Sequence, residues 1–175
     1  MNSIELCSQA LVKIGAAPIV SFDDGSLEAS VASYAYPLAK RKLLSSFAWG
    51  FATKSARLSS LSGGAFAVPN DFLRAICVRP KCAYAITGHK LAADADAIEL
   101  DYVADVGEEL FPPLFESALM YSLAAEFAMS LLDDSARYNL MEHTALLELR
   151  EARFQDSSQK SAKSIKGFPL VDARK

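Results

Sequence analysis

Eight carboxylates fall between Asp94 and Glu116 with no Lys or Arg among them. Two such acids brought together in space run general acid–base chemistry when an apolar pocket raises the pKa of one of them. The plainer reading of acids in loops and strands is a solvated face. The two histidines do not add a catalytic partner. His89 falls in a turn and His143 on a polar helix face. No Ser-x-x-Lys, Gly-x-Ser-x-Gly, phosphate-cradling glycine loop or His-Glu-x-x-His pattern occurs. Cys77 and Cys82 are five apart with no His or other Cys nearby at a zinc-like spacing, and Cys7 lies on an apolar helix face. An odd count of three cysteines also argues against a disulfide framework. The expectation is therefore no enzyme, no metal and no cofactor.

Positive charge is concentrated in two places. Lys40, Arg41 and Lys42 form a run near the end of a helical pattern, which reads as a solvated face or as a partner-facing patch. The run lacks the aromatic platform of a single-strand binder. The second place is the C-terminal stretch 158–175, where Lys160, Lys163, Lys166, Arg174 and Lys175 face one acid, Asp172. Inside it lies a small apolar patch, Phe168-Pro169-Leu170-Val171. A tail that only solvates has no need of Phe, Leu and Val together, so this basic arm reads as one that waits for a partner.

The totals bound what carries these residues. With 175 residues and a formal net charge of -3, the chain fits one domain, or one domain with a small lobe, and is not a globally basic binder of nucleic acid. No leader-type run opens it and no apolar segment is long enough to span a membrane, so synthesis and first use in the cytoplasm are expected.

Periodicity predicts an α+β fold: an antiparallel bundle of about four helices, with a small antiparallel β lobe at about 50–104 inserted between the second and third. The first helix covers 2–14, with Asn2 and Glu5 at capping-box spacing and Gly15 as its stop. The second covers about 26–47. Its buried stripe is expected to be Leu27, Val31, Ala35 and Leu38, with a kink or break at Pro37. Ser55–Gly64 reads as a loop, while Asp71–Val78, Ala83–Thr87 and Ile98–Val103 read as strands. Trp49, Phe51 and Phe72 are expected to pack where the lobe meets the bundle. The third helix starts at Pro112-Pro113, runs to about Leu131, and is apolar on several sides. Asp133-Asp134-Ser135 caps a fourth helix, with Leu140, Thr144, Leu147 and Phe154 as its expected buried side. The adaptor domain is thus 1–157, and 158–175 is an extended arm.

Several segments resemble one family. Ile4-Glu5-Leu6-Cys7, followed by Ala10-Leu11-Val12-Lys13-Ile14-Gly15 and Ser21-Phe22-Asp23-Asp24-Gly25, is similar to the opening of phage head-to-tail adaptors of the tail tubular protein A-like group. Tyr36-Pro37-Leu38-Ala39 with Phe47-Ala48-Trp49-Gly50-Phe51-Ala52 resembles the family's second-helix and Trp signature. Pro69-Asn70-Asp71-Phe72, Leu100-Asp101-Tyr102-Val103 and Leu110-Phe111-Pro112-Pro113 continue it in order. Trp49, Phe51, Pro69, Phe72 and Tyr102 are the structural signature. The resemblance covers roughly residues 3–131.

It implies a structural protein at the virion head–tail junction. Such subunits form a ring, commonly of about twelve copies, that docks on the portal protein, extends the DNA channel and receives a downstream tail or nozzle protein. DNA passes without specific binding, and no membrane is involved. By the same resemblance Lys160, Lys163, Lys166, Phe168, Leu170, Val171, Arg174 and Lys175 become the portal-docking arm. Lys40, Arg41, Lys42, Asp94, Asp96, Glu99, Asp101, Glu108 and Glu109 become a candidate ring or channel surface. The physics is compatible, because a chain of this length has a radius of gyration of about 16 Å and cannot encircle a duplex alone. The rival expectation is a non-viral helical adaptor that dimerises through the Ala-rich third helix.

Overall fold

The computed structural model describes residues 1–61 and 64–159. Among them the chain forms four α-helices and six strands in an α+β arrangement, with the strands inserted between the second and third helices.

Helix α1 spans Ser3–Lys13. Its start is fixed by the expected capping box: the Asn2 side chain accepts from the Glu5 amide at 2.8 Å and Glu5 accepts from the Asn2 amide at 3.0 Å. Gly15, at φ +80°, ends it in a conformation that costs a side-chain-bearing residue more. Helix α2 spans Leu27–Ser45 and is capped by the Ser26 hydroxyl. It runs through Pro37 without the break that was one of the two expected outcomes there. Pro37 is exposed, so the Ser33 carbonyl that loses its donor lies toward water rather than in the core.

The buried side of α2 is also not the expected one. Ala29, Ala32, Tyr36, Ala39, Leu43 and Leu44 are buried, whereas of the expected stripe Val31 and Ala35 are half-buried against the core and Leu27 and Leu38 are exposed. Small residues win here because α2 packs on α3, which is itself rich in buried alanine. Alanine rows facing each other let the backbones approach closely, and larger side chains would hold them apart.

Six strands build two three-stranded antiparallel sheets: β1 (Thr53–Leu58), β6 (Ile98–Ala104) and β3 (Phe72–Arg79) in that order, and β2 (Ala65–Ala67), β5 (Lys90–Ala93) and β4 (Tyr84–Thr87). Strand β6 is the hub of the first sheet. Its Ile98, Leu100 and Tyr102 are buried and alternate with Glu99 and Asp101, which lie toward solvent. Ser55–Leu58, expected as loop, belongs to β1 and pairs with β6 from Ser55↔Asp101 to Leu58↔Ile98. Its Ser and Arg residues are weak strand formers, and pairing with the central strand overrides that weakness. The turn at Gly88 between β4 and β5 stands where expected, with φ +59°.

Helix α3 spans Pro113–Leu132 with Pro113 in its first turn, and packs against α1, α2 and α4. Ala118, Ala124, Ala125 and Ala128 are covered by the subunit itself. The larger exposed apolar residues of α3, Met129 and Leu132, lie in its last turn. Helix α4 spans Ser135–Ser158 behind the Asp134 cap, whose side chain accepts from the Arg137 amide at 2.9 Å. Its buried residues are Ala145, Ala152 and Asp156, with Tyr138, Met141 and Leu149 half-buried beside them. Of the expected stripe, Thr144 is half-buried, while Leu140, Leu147 and Phe154 point the other way, into water. As on α2, the alanine side meets the core and the larger apolar side does not.

Where lobe and helices meet, Trp49 is 1% exposed and sits among Phe47, Phe51 and Phe115 at ring separations of 5.0, 5.7 and 5.1 Å. Phe111 closes this cluster against Phe51 and Phe115. Phe72 lies outside it and packs on Tyr102 within the first sheet.

Candidate functional site

The acids between Asp94 and Glu116 do not converge on one pocket. Asp94 and Asp96 are exposed in the connection between β5 and β6. Glu99 and Asp101, two apart on β6, fall on the same side of the sheet and are bridged by Arg79 on β3 at 3.2 and 2.6 Å. Ser55 also donates to Asp101. Glu109 is exposed and Glu108 turns inward. The expected acidic surface is thus divided: Asp94, Asp96 and Glu109 remain outward, while Glu99, Asp101 and Glu108 are engaged within the subunit. Among the described residues no group of three or more His, Cys, Asp and Glu is placed to hold a metal ion.

Lys40, Arg41 and Lys42 are divided as well. Their positions on α2 point them in three directions, roughly 100° apart. Lys40 is drawn to Glu108 at 3.3 Å and Asp105 at 3.4 Å, with its ammonium 5.8 Å from the Phe111 ring centre. Arg41 is mostly exposed and lies 3.9 Å from Asp105. Lys42 is exposed. Lys40 therefore ties α2 to the turn before α3 instead of lining a surface.

Tyr36, one turn before Lys40, completes this contact and was not legible as polar from its apolar neighbours. Its hydroxyl donates to Glu108 at 2.5 Å. Burial, then the Glu108 carboxylate, pushes the phenol well above its ordinary range. Burial alone would raise Glu108, but the hydrogen bonds from Tyr36 and Lys40 outweigh it and hold the carboxyl below its usual value. A carboxyl depressed in the fold contributes stability that is full above its unfolded pKa and is lost as pH falls through its folded pKa. Glu108→Gln is accordingly expected to cost about 1–2 kcal/mol at neutral pH and to flatten the acid limb of a thermal-stability profile taken from about pH 6 down to about pH 3. An acid limb with the parent's slope would show that this contact does not carry the pH dependence.

A similar junction holds the signature residues of the lobe. The Tyr102 hydroxyl donates to Asp71 at 3.0 Å, and Lys54 reaches the same carboxylate at 2.7 Å. Burial, then Asp71, raises the Tyr102 phenol to about 12. The Pro69 carbonyl accepts from the Phe72 amide at 3.1 Å, which turns the chain so that the Asp71 carbonyl receives the Asp105 amide at 2.7 Å. Pro69, Phe72 and Tyr102 thus join β3 to the end of β6. Cys7 is buried, and burial pushes its thiol up to about 12, so it is inert core. His89 and His143 are exposed, as expected.

The surfaces that stand out are apolar. On α2, Leu27, Tyr34 and Leu38 point to water, and on α4 Leu140, Leu147 and Phe154 do so, all of them 53–79% exposed. Between these helices lies a groove of about 190 Å³, floored by Ala39, Leu43, Ala125 and Ala145 and rimmed by Leu38 and Leu146. Periodicity had picked out most of these large residues but had turned them inward. The arm residues Lys160, Lys163, Lys166, Phe168, Leu170, Val171, Arg174 and Lys175 lie outside the described residues. Among the described residues no helix is long and apolar enough to cross a membrane.

Comparison with protein-family models finds no match, and a search of curated proteins finds none either.

Proposed function

We propose that the chain is a non-enzymatic assembly subunit, a head-to-tail adaptor of a tailed phage or phage-like particle. Copies of it form a ring at the head–tail junction that docks on the portal, extends the DNA channel and receives the next tail component. The observation that carries an assembly role is the set of seven large apolar side chains left in water on α2 and α4, Leu146 among them. A monomer seldom leaves helix faces of this kind uncovered, and they mark surfaces for protein partners. The charged residues tell the same story in reverse: Arg79, Lys40 and Glu108 are spent on contacts within the subunit. The resemblance of residues 3–131 to the adaptor family supplies the particular kind of assembly. The basic stretch 160–175 then serves as the arm that grips the portal.

Deleting residues 160–175 is expected to leave the helical circular dichroism and melting temperature of the subunit unchanged, since α4 is already complete at Ser158. Co-sedimentation with the cognate portal should fall to background. Undiminished co-sedimentation of the truncated chain removes the arm from the mechanism. Failure of the full chain to co-sediment removes the portal reading itself.

A further inference from the structure

We infer that the outward apolar row of α2 in one copy packs against the outward apolar row of α4 in the next, a head-to-tail contact between identical chains. This rests on the ring reading and names the two surfaces that make it.

Each row has the geometry of a helix-packing seam. Leu27, Tyr34 and Leu38 fall seven and four residues apart, on the side of α2 opposite buried Ala29, Ala32, Tyr36 and Ala39, with half-buried Val31 at the row's inner edge. Leu140, Leu147 and Phe154 repeat at seven on α4, on the side opposite buried Ala145, Ala152 and Asp156. At 1.5 Å per residue the rows are about 17 and about 21 Å long, so one covers the other. A second helix is the natural partner for such a row, because its side chains fill the gaps that this spacing leaves.

The partner is a second copy because both halves of the contact are present on one chain. A symmetric contact, α4 on α4, leaves Leu27, Tyr34 and Leu38 in water on every copy. A contact between unlike rows covers both at once, and it is the class of contact that closes into rings. Charge agrees when the helices run antiparallel. The basic end of α2, Arg41 and Lys42, then lies toward Asp133, just before α4 begins. Glu28 at the other end of α2 lies toward Arg150. The helix dipoles are opposed as well.

The size of the contact fits a subunit that needs its ring. Six large side chains at roughly 100 Å² each bring together roughly 600 Å² of apolar surface. With the polar share usual for interfaces, the total is roughly 1,000 Å², at the threshold for a specific contact. One such contact is weak, and closure or a portal template makes it firm.

The test is disulfide trapping in the full chain with Cys77→Ser and Cys82→Ser, to which Tyr34→Cys or Leu147→Cys is added singly. Both positions are exposed, so the fold tolerates the changes. Mild oxidation is applied to each variant alone and to an equal mixture, both in concentrated solution and on portal rings. The mixture is expected to give roughly tenfold more linked dimer than either variant alone. Linked dimer from Leu147→Cys alone would overturn the inference in favour of a symmetric α4 contact, and no linked species in any sample would overturn it outright. Portal co-sedimentation of the same samples separates the two ideas. Linking without co-sedimentation keeps this contact and drops the portal reading, and co-sedimentation without linking does the reverse.

Discussion

Trp49→Ala should destabilise the subunit by about 4 kcal/mol, the cost of removing a large aromatic from a core that cannot collapse around the gap. The indole is enclosed by three phenylalanine rings contributed by the α2–β1 connection and by α3. Its Nε1–H also donates to the Leu43 carbonyl at 3.1 Å, in the last turn of α2. Alanine therefore empties the joint between helices and lobe and removes a donor from a helix end. For a domain of this size the melting temperature should fall by roughly 10 °C. Circular dichroism is the right probe, because Trp49 is the only tryptophan and its loss removes the fluorescence signal. Trp49→Phe separates the two contributions. It keeps most of the buried ring and loses the hydrogen bond, while Leu43 still accepts from the Ser46 amide. Its cost should be only about 1–2 kcal/mol. Equal losses in the two variants would mean that the hydrogen bond, and not the packing, holds the joint.

The cluster around Trp49 was legible because aromatics close together in sequence have few ways to be buried except together. The helix ends were legible for a similar local reason: Asn2 with Glu5, Gly15 and Asp134 act within one turn of themselves. The strand β6 was legible from its alternation. What failed was the choice of face on α2 and α4. Each helix has two apolar sides, one of alanine with Tyr36 or Met141, and one of larger residues. Hydrophobicity alone ranks the larger side as core. Proximity to α3 decides otherwise, and that is a property of the neighbour's surface, which no single-helix pattern contains. The error is informative, because a helix with two apolar sides offers two packing faces, and the subunit covers only one of them.

The candidate site was legible in residue type but not in grouping. The acids of 94–116 and the cations of 40–42 stood out as two charge runs. Lys40 and Glu108 meet although they are far apart in sequence, because α2 passes the short turn of Glu108–Leu110 that precedes α3. Tyr36 one turn earlier on the same face as Lys40 was the available signal: a Tyr at four residues from a Lys places a hydroxyl and an ammonium side by side. Asp156 gave no signal at all. An acid in the last turn of a helix is opposed by the helix dipole, so sequence reasoning leaves it at the surface.

Asp156 is instead buried, and its Oδ1 accepts from the Gly50 amide at 2.7 Å. This is the contact that fixes the end of α4 to the connection between α2 and β1. Arg153, one turn earlier, supports it by donating to Ser46 at 3.0 Å and lying over the Phe47 ring at 5.7 Å. Asp156→Ala leaves the Gly50 amide without this acceptor beside the Trp49 cluster. The expected cost is about 2 kcal/mol, typical of a hydrogen bond to a charged group in a half-dry site. Asp156→Asn keeps an oxygen at the same place and removes the unfavourable charge at the helix end, so it should stay within about 1 kcal/mol of the parent. Urea unfolding gives the two costs, and hydrogen exchange at the Gly50 amide gives the mechanism: protection should drop in the alanine variant and persist in the asparagine one. Equal stability of the two would show that the carboxylate does not anchor α4. The consequence reaches function, because residues 160–175 continue from this last turn. In the ring reading, a frayed turn releases the direction in which the arm leaves the subunit. Asp156→Ala should then weaken portal co-sedimentation at temperatures where the rest of the fold is intact, and Asp156→Asn should not.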